Sequence, residues 1–187
     1  YMTMPNAVVI DSCDYAQTYS LTKQLAKCPS PSYMRLIRKG FHTVYADGAE
    51  FEIGKGVLLQ DGKDVTILAS GVMVAEALDA AELLRKDGIG ARVIDLHTWK
   101  PLDEAMVLQA AAETGCIVTA ENHQVFCGLG SAVANLLCRN RPVPIEFIGI
   151  QNRYGQVGSQ DFLLQEYGMT AGHIRDAALR AIRRKKA

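Results

Sequence analysis

Hydrophobic and polar residues fall into short blocks along the chain, and the first blocks predict a strand, a helix and a second strand. Residues 7–11 form an apolar run. Asp14 followed by Gln17 marks a helix start, because an acceptor side chain with a glutamine three positions later is a common capping pair. We expect this helix to end near residue 27, and residues 33–38 then alternate as a strand that Lys39-Gly40 ends. Together these elements predict a β-α-β unit with parallel strands.

A second set of blocks follows a linker at residues 43–56. Residues 57–59 and 65–69 flank a glycine-containing turn, which predicts a β-hairpin. After Ser70-Gly71, apolar residues recur at helical spacing as far as Gly88. Further strands are expected at residues 91–96, 116–120 and 145–150, and further helices at 103–115, 128–139, 160–167 and 170–184.

This alternation of strands and helices predicts an α/β fold. Residues 57–187 are expected to form a three-layer α/β/α domain with a mainly parallel sheet. Residues 1–42 are too few to bury a core alone, so they predict a β-α-β remnant of a second α/β domain. We expect that remnant to be the tail of a larger domain, and to pack on residues 57–187 and on a symmetry-related partner.

Composition narrows the functional classes. The chain has 187 residues, 49% of them hydrophobic and 21% charged, with a formal net charge of zero. No basic excess indicates nucleic-acid binding, and no apolar run approaches the ~18–20 residues of a membrane span. The five cysteines are odd in number and lack a C-x-x-C pair. They favour reduced thiols in a cytoplasmic protein over a disulfide scaffold or a zinc site.

Gly128, Gly130 and Ser131 invite comparison with a dinucleotide-binding turn. That fingerprint requires a third glycine where Val133 stands, and Glu146 lies in mid-strand instead of at a strand end. We therefore favour a structural interpretation, in which the two glycines permit a tight turn and Ser131 caps the helix. The free amides of this helix start leave open the binding of an anionic regulator.

Glu121 and His123 lie just past a predicted parallel strand, at the sheet edge where α/β folds place ligands and interfaces. A glutamate and a histidine are suited to acid–base chemistry. No third partner at metal-ligand spacing accompanies them, and we favour an interface or packing role. The sequence therefore gives no catalytic residue and no metal ligand.

Two arginines in the second predicted strand have different expected roles. Three positions apart in an alternating strand, Arg35 and Arg38 point to opposite faces. Arg38 also lies at the strand's carboxyl end, and its planar fork of donors suits a phosphate group. We expect Arg38 to bind a substrate phosphate and Arg35 to be structural or part of a salt bridge.

Several stretches in order resemble the C-terminal third of transketolases, particularly the separate C-terminal subunits of split transketolases. The stretches are residues 4–14, 33–38, 93–103, 121–131 and 153–158 with 167–170. The resemblance implies that residues 1–42 are a remnant of the pyrimidine-binding domain, that 43–56 are a linker, and that 57–187 are the transketolase C-terminal domain. Cys127 departs from the family, which usually has glycine there.

The resemblance also implies an activity. The complete enzyme would transfer a two-carbon ketol unit between phosphosugars, using thiamine diphosphate and Mg²⁺ held by an N-terminal section or subunit. Arg38 would bind the sugar phosphate. No cofactor is expected on this chain alone, which would be inactive in isolation. The expected assembly is a homodimer or a heterotetramer in the cytoplasm.

Two alternatives remain at this point. The first is a part of a deoxyxylulose-phosphate synthase or of a 2-oxo acid dehydrogenase beta subunit, which share the layout. The second is a stand-alone, non-catalytic regulatory or interaction domain. The sequence also leaves open which sugar phosphates are used and whether the missing active-site region lies on the same polypeptide.

Overall fold

The first β-α-β unit is present and its helix has the predicted cap. The structure is a computed structural model that describes residues 1–38 and 42–186. Strand β1 (Val8–Asp11), helix α1 (Tyr15–Leu25) and strand β2 (Ser32–Arg35) follow one another, and β1 and β2 are parallel. The Gln17 amide N–H donates to Asp14 Oδ1 at 3.0 Å, and Gln17 Oε1 accepts from the Cys13 amide at 2.9 Å.

Strand β2 is shorter than predicted, because it ends at Arg35 and not at Arg38. The alternation rule therefore does not fix the direction of the Arg38 side chain. The predicted strand break at Lys39-Gly40 lies outside the described residues.

The second set of elements contains the predicted helices and strands and one short additional strand. They are β3 (Val57–Gln60), β4 (Val65–Ala69), α2 (Met73–Lys86), β5 (Ala91–Asp95), β6 (Thr98–Lys100), α3 (Glu104–Thr114), β7 (Ile117–Gln124), α4 (Leu129–Asn140), β8 (Ile145–Ile150), α5 (Gln160–Glu166) and α6 (Ala171–Lys186). The Asp103 carboxylate caps α3, and Gly115 ends it in a left-handed conformation with φ of 70°.

The predicted hairpin between β3 and β4 is wrong. The main sheet has the strand order β3-β5-β4-β7-β8, and β3 pairs antiparallel with β5. Strand β4 is buried along its whole length between parallel β5 and β7, so it has no free edge for β3. Gly62 allows the connecting turn to cross the backbone of Ala91, where a Cβ atom would collide.

Helices cover both faces of this sheet. On one face α2 and α6 bury a core that includes Met73, Ala77 and Ile174. On the other face α3 and α4 bury Val107, Leu129 and residues around them. The three-layer α/β/α arrangement with a mainly parallel sheet is therefore confirmed. None of the helices in the described part of the chain is long and apolar enough to cross a membrane.

Residues 1–38 form a second sheet with a strand from the other part of the chain. The order of this sheet is β2-β1-β6, and β6 (Thr98–Lys100) pairs antiparallel with β1. Lys100 Nζ also donates to the carbonyl oxygens of Met2 and Met4, at 3.0 and 2.5 Å. Residues 1–38 thus pack on the α/β/α domain as expected, and we call this contact region the seam.

Candidate functional site

Arg35 joins the two sheets across the seam. Its Nη1 lies 3.2 Å from Asp11 Oδ2, and its Nη2 donates to the Asn122 carbonyl oxygen at 2.7 Å. The guanidinium also lies over the Trp99 ring, 5.6 Å from its centre. Burial raises the pKa of the Asp11 carboxyl, and the charge of Arg35 opposes that rise. Arg35 therefore has the structural role that the sequence indicates.

Arg38 has the opposite environment. Its side chain is exposed, and it makes no hydrogen bond or ion pair with any residue that the structure describes. It lies at a cavity of about 250 Å³, which we call the Arg38 cavity. The cavity is lined by Ile37, Arg38, Asn122, Gly158, Gln160, Leu163, Leu164 and Met169.

Two nearby residues, Ile37 and Arg35, fix the position of Arg38. Ile37 is half-buried and packs against the core of the α/β/α domain, so the residue after it lies at the domain surface. Arg35 ties the end of β2 to Asn122, which lies in the last half of β7. Arg38 and Asn122 therefore line the same cavity although they are far apart in the sequence.

Glu121 is a buried helix cap. Its side chain is 1% exposed, and its two carboxylate oxygens accept from the amides of Leu129 and Gly130 at 2.9 and 2.8 Å. Burial raises the pKa of Glu121 to about 7, although both amide hydrogen bonds lower it. A Cβ atom on Gly128 would collide with this carboxylate, which explains the glycine at that position.

This cap bears on the regulatory hypothesis for the helix start. The two amides that an anion would require are occupied by an internal carboxylate, so Glu121 has taken the place of a bound anion. The prediction that Ser131 caps the helix is wrong: Gly128 is the N-cap residue and makes no side-chain cap hydrogen bond, and the Ser131 Oγ instead accepts from the Cys127 amide and donates to the Val125 carbonyl oxygen in the preceding loop. The amides of Leu129 and Gly130 are therefore not available to an anionic regulator.

His123 is half-buried beside a second cavity of about 190 Å³. Its Nδ1 lies 2.7 Å from the Gln124 carbonyl oxygen and 3.7 Å from Glu121 Oε2, and its ring meets Trp99 edge-on. Cys127 lines the same cavity with a φ of 61°, a left-handed conformation that favours glycine. The arrangement is suited to packing along the seam, and it does not place His123 at the Arg38 cavity.

Hydrogen bonds around Asp95 join the two sides of the seam at another place. Asp95 Oδ2 accepts from Gln17 Nε2 at 2.6 Å and from the Tyr45 hydroxyl at 2.8 Å. Asp14 Oδ2 accepts from the amides of Val44 and Tyr45. Burial raises the pKa of Asp95 to about 7. This Asp95 network joins α1, the linker and β5.

The described residues contain no cluster of the side chains that most often bind metal ions. Within residues 1–38 and 42–186, no group of three or more His, Cys, Asp or Glu side chains could hold a metal ion. His97 is buried and has its pKa lowered to about 4 by burial, so it is neutral near pH 7.

Sequence reasoning missed Asn122 and Gln160 as cavity residues. Asn122 lies between two ionisable neighbours and forms no motif of its own, and Gln160 gives no signal beyond its place at a helix start. They lie on β7 and α5, so the fold alone brings them to Arg38.

Curated proteins similar to this chain include two transketolase subunits. The chain is 45% identical over 182 residues to the 6-deoxy-6-sulfo-D-fructose transketolase subunit SqwH of Clostridium sp. (strain MSTE9), covering 97% of this chain and 56% of the relative. It is 39% identical to one subunit of the apulose-4-phosphate transketolase of Phocaeicola vulgatus, covering 97% of this chain and 58% of the relative. The chain thus spans about half the length of the curated relatives it matches.

A solved structure is similar over nearly the whole chain. It is described as a split gene transketolase, inactive beta4 tetramer. The similarity has a TM-score of 0.95 and 41% sequence identity, and it covers 98% of this chain and 60% of the other. The family model described as "Transketolase, C-terminal domain" matches residues 54–174. The chain therefore belongs to the transketolase family and contains its C-terminal domain.

Proposed function

We propose that this chain is the C-terminal part of a thiamine diphosphate-dependent transferase that moves a two-carbon ketol unit between sugars carrying a terminal oxyanion. The observation that carries the proposal is Arg38, whose guanidinium lies at a cavity of about 250 Å³ and has no partner among the residues that the structure describes. The relatives' names include a sulfonate sugar and a phosphate sugar. Both groups are tetrahedral oxyanions, and a guanidinium fork matches two of their oxygens.

The cofactor belongs to another part of the assembly in this proposal. Thiamine diphosphate supplies the carbanion chemistry when it is bound. Among the described residues, no three His, Cys, Asp or Glu side chains are grouped so that they could hold its metal ion. We therefore propose that an N-terminal section or subunit holds the cofactor and Mg²⁺, and that this chain alone is inactive.

The contribution of this chain is to bind and orient one end of the sugar. Arg38 would hold the oxyanion, and the apolar side chains of Leu163, Leu164 and Met169 limit water around it. Anchoring a remote charged group fixes the reacting end of a substrate, and the binding free energy of that group then lowers the barrier. Arg35 and Asp11 maintain the position of the strand that leads to Arg38.

We propose a homodimer or a heterotetramer as the active assembly. Two observations support it: the chain spans about half of its relatives, and both of those relatives are named as subunits. We further propose that residues 1–42 end the pyrimidine-binding domain and that residues 43–56 link it to the C-terminal domain. All five cysteines are unpaired, which is consistent with a cytoplasmic location.

Reconstitution tests the proposal. The chain is combined with the N-terminal section or subunit, thiamine diphosphate and Mg²⁺, and ketol transfer is measured with phosphate and sulfonate sugars. We expect transfer, and we expect Arg38→Ala to raise KM for the charged sugar. Arg183→Ala is the matched control, because Arg183 is exposed on α6 and does not line the cavity. Absence of transfer with every such sugar would overturn the proposal.

A further inference from the structure

The Arg38 cavity contains two further polar side chains, from parts of the chain that sequence motifs did not connect to it. We propose that Asn122 and Gln160 complete an oxyanion site with Arg38, so that all three side chains bind the same terminal phosphate or sulfonate. This inference rests on the proposed function, since it takes Arg38 as the primary ligand of that group.

The side-chain amide of Asn122 lies at the cavity. Its backbone carbonyl is occupied by Arg35 Nη2 at 2.7 Å, which fixes the position of the residue. Its side chain is half-buried and has no hydrogen-bond partner among the described residues. Because no acceptor within residues 1–38 and 42–186 occupies this amide, its N–H donors are available to a ligand in the cavity.

Gln160 has the same property on the facing element. It is the first residue of α5, where the Ser159 hydroxyl already accepts from the Phe162 amide at 3.3 Å. The helix start is therefore capped without the Gln160 side chain. That side chain is half-buried at the cavity and has no partner in the described part of the chain.

The charges of the cavity favour an anion. One guanidinium and two neutral amides supply its charged and hydrogen-bonding side chains, and no carboxylate is among its lining residues in the described part of the chain. The guanidinium fork contacts two oxygens of a tetrahedral oxyanion, and neutral amide donors can reach the remaining oxygen. This donor set suits both phosphate and sulfonate, because the two groups share their shape and their acceptor oxygens.

A titration of the ¹⁵N-labelled 187-residue chain tests the site, with inorganic phosphate and methanesulfonate as the probes. The readouts are the side-chain NH₂ signals of Asn122 and Gln160 and the Nε–H signal of Arg38. We expect all three signals to shift and saturate with one common Kd. Saturation with phosphate alone, with methanesulfonate alone or with both identifies the oxyanion that the site accepts, and each supports the inference.

Charge-changing isosteres make the test specific. Asn122→Asp and Gln160→Glu should each weaken anion binding by at least about tenfold, because a carboxylate then faces the anion. Gln160→Glu preserves the fold, since a negative charge suits the first turn of a helix. Gln165→Glu is the matched control: it adds the same charge to the exposed side of α5 and should leave the Kd unchanged.

Failure of the inference and failure of the proposed function give different results. If Arg38→Ala abolishes anion binding while Asn122→Asp and Gln160→Glu leave it unchanged, Arg38 acts without these two residues and the inference is overturned. The proposed function survives that result. If the wild-type chain binds neither probe, the inference is overturned, and the ketol-transfer assay separately decides the proposed function.

Discussion

The seam between residues 1–38 and the α/β/α domain has two regions that differ in whether their side-chain donors have acceptors within the described part of the chain. In the Asp95 network, Gln17 and Tyr45 donate to one carboxylate oxygen, and Asp14 accepts two linker amides. In the Arg38 cavity, a guanidinium and two side-chain amides have no partner among the described residues. The first region joins parts of the chain, and the second presents donors to a ligand.

Arg35 and Arg38 show the difference within a few residues. Arg35 has a carboxylate, a carbonyl oxygen and an aromatic ring around it, whereas Arg38 faces a cavity. Residue type therefore does not distinguish a structural arginine from a binding arginine. The distinction lies in whether the surrounding chain already provides acceptors for its donors.

A large effect on stability is expected from removing Arg35. Arg35→Ala should lower the free energy of unfolding by about 3 kcal/mol, because it leaves the buried Asp11 carboxylate without its charged partner. Urea unfolding monitored by circular dichroism measures the change. Arg38→Ala, the control, should change the same quantity by less than about 0.5 kcal/mol. Equal losses for both variants would remove the distinction between the two regions.

The second prediction concerns the pH dependence of the Asp95 network. The pKa of Asp95 is raised from an ordinary 3.8 to about 7, so the folded state holds this proton more tightly than the unfolded state. The stability that the folded protein gains from protonated Asp95 is therefore fully present below pH 3.8 and is lost as pH rises through about 7. Asp95→Asn keeps an acceptor and removes the titration. It should nearly match the wild type near pH 4 and exceed its stability by about 4 kcal/mol at pH 8, because the rise in the Asp95 pKa from 3.8 to about 7 corresponds to about that free energy.

Unfolding curves of the two proteins at several pH values check this prediction. His97 has its pKa lowered to about 4, so its contribution is lost as pH falls, but it acts equally in both proteins and cancels in the difference. Asp95→Ala is the disruptive control, since it leaves the Gln17 and Tyr45 donors unpaired and should be less stable than Asp95→Asn at every pH. A difference between wild type and Asp95→Asn that does not vary with pH would contradict the assignment.

A smaller effect is expected at the Arg38 cavity, and it concerns affinity instead of stability. Arg38→Ala should weaken inorganic phosphate binding by about tenfold, or about 1.4 kcal/mol. Arg38→Lys should lose less, because it keeps the charge but not the planar fork. Calorimetric titration of the two variants gives both values. An alanine variant with the wild-type Kd would place the anion elsewhere.

The smallest expected effect is a change in stability at Cys127, which lies outside both the Asp95 network and the Arg38 cavity. Cys127 has a φ of 61°, which costs an ordinary residue more than it costs glycine. Cys127→Gly should therefore raise the free energy of unfolding by about 0.5 kcal/mol, after the greater freedom of glycine in the unfolded chain is included. Thermal unfolding detects the change. A loss of stability would mean that the Cys127 side chain contributes packing at its cavity.

The sequence was sufficient for features that depend on neighbouring residues. The caps at Asp14 and Asp103 and the helix end at Gly115 require chemistry within one turn, and all three are present in the structure. The partner of β3 was predicted wrongly, because strand pairing depends on which sheet edge remains free after β4 is enclosed. The alternation of polar and apolar residues within one strand does not show which sheet edge remains free.

The candidate site was predictable to a lesser degree. The resemblance pointed to Arg38, but its strand ends earlier than alternation suggests. The amide partners of Glu121 lie beyond a loop, and the clue was Gly128, whose missing side chain admits the carboxylate. Gln160 reaches the cavity only through the packing of α5, so no local pattern could have indicated it.

The strand β6 has a consequence for how this polypeptide can be divided. Thr98–Lys100 completes the sheet of residues 1–38, although it lies beyond the linker and beyond four elements of the other domain. A cut in the linker would therefore leave the first piece with an unpaired edge on β1. The second piece would carry β6 without the strand that it pairs with. The two pieces would complement each other as separate polypeptides, and neither would be a self-sufficient unit for expression or for transfer to another protein.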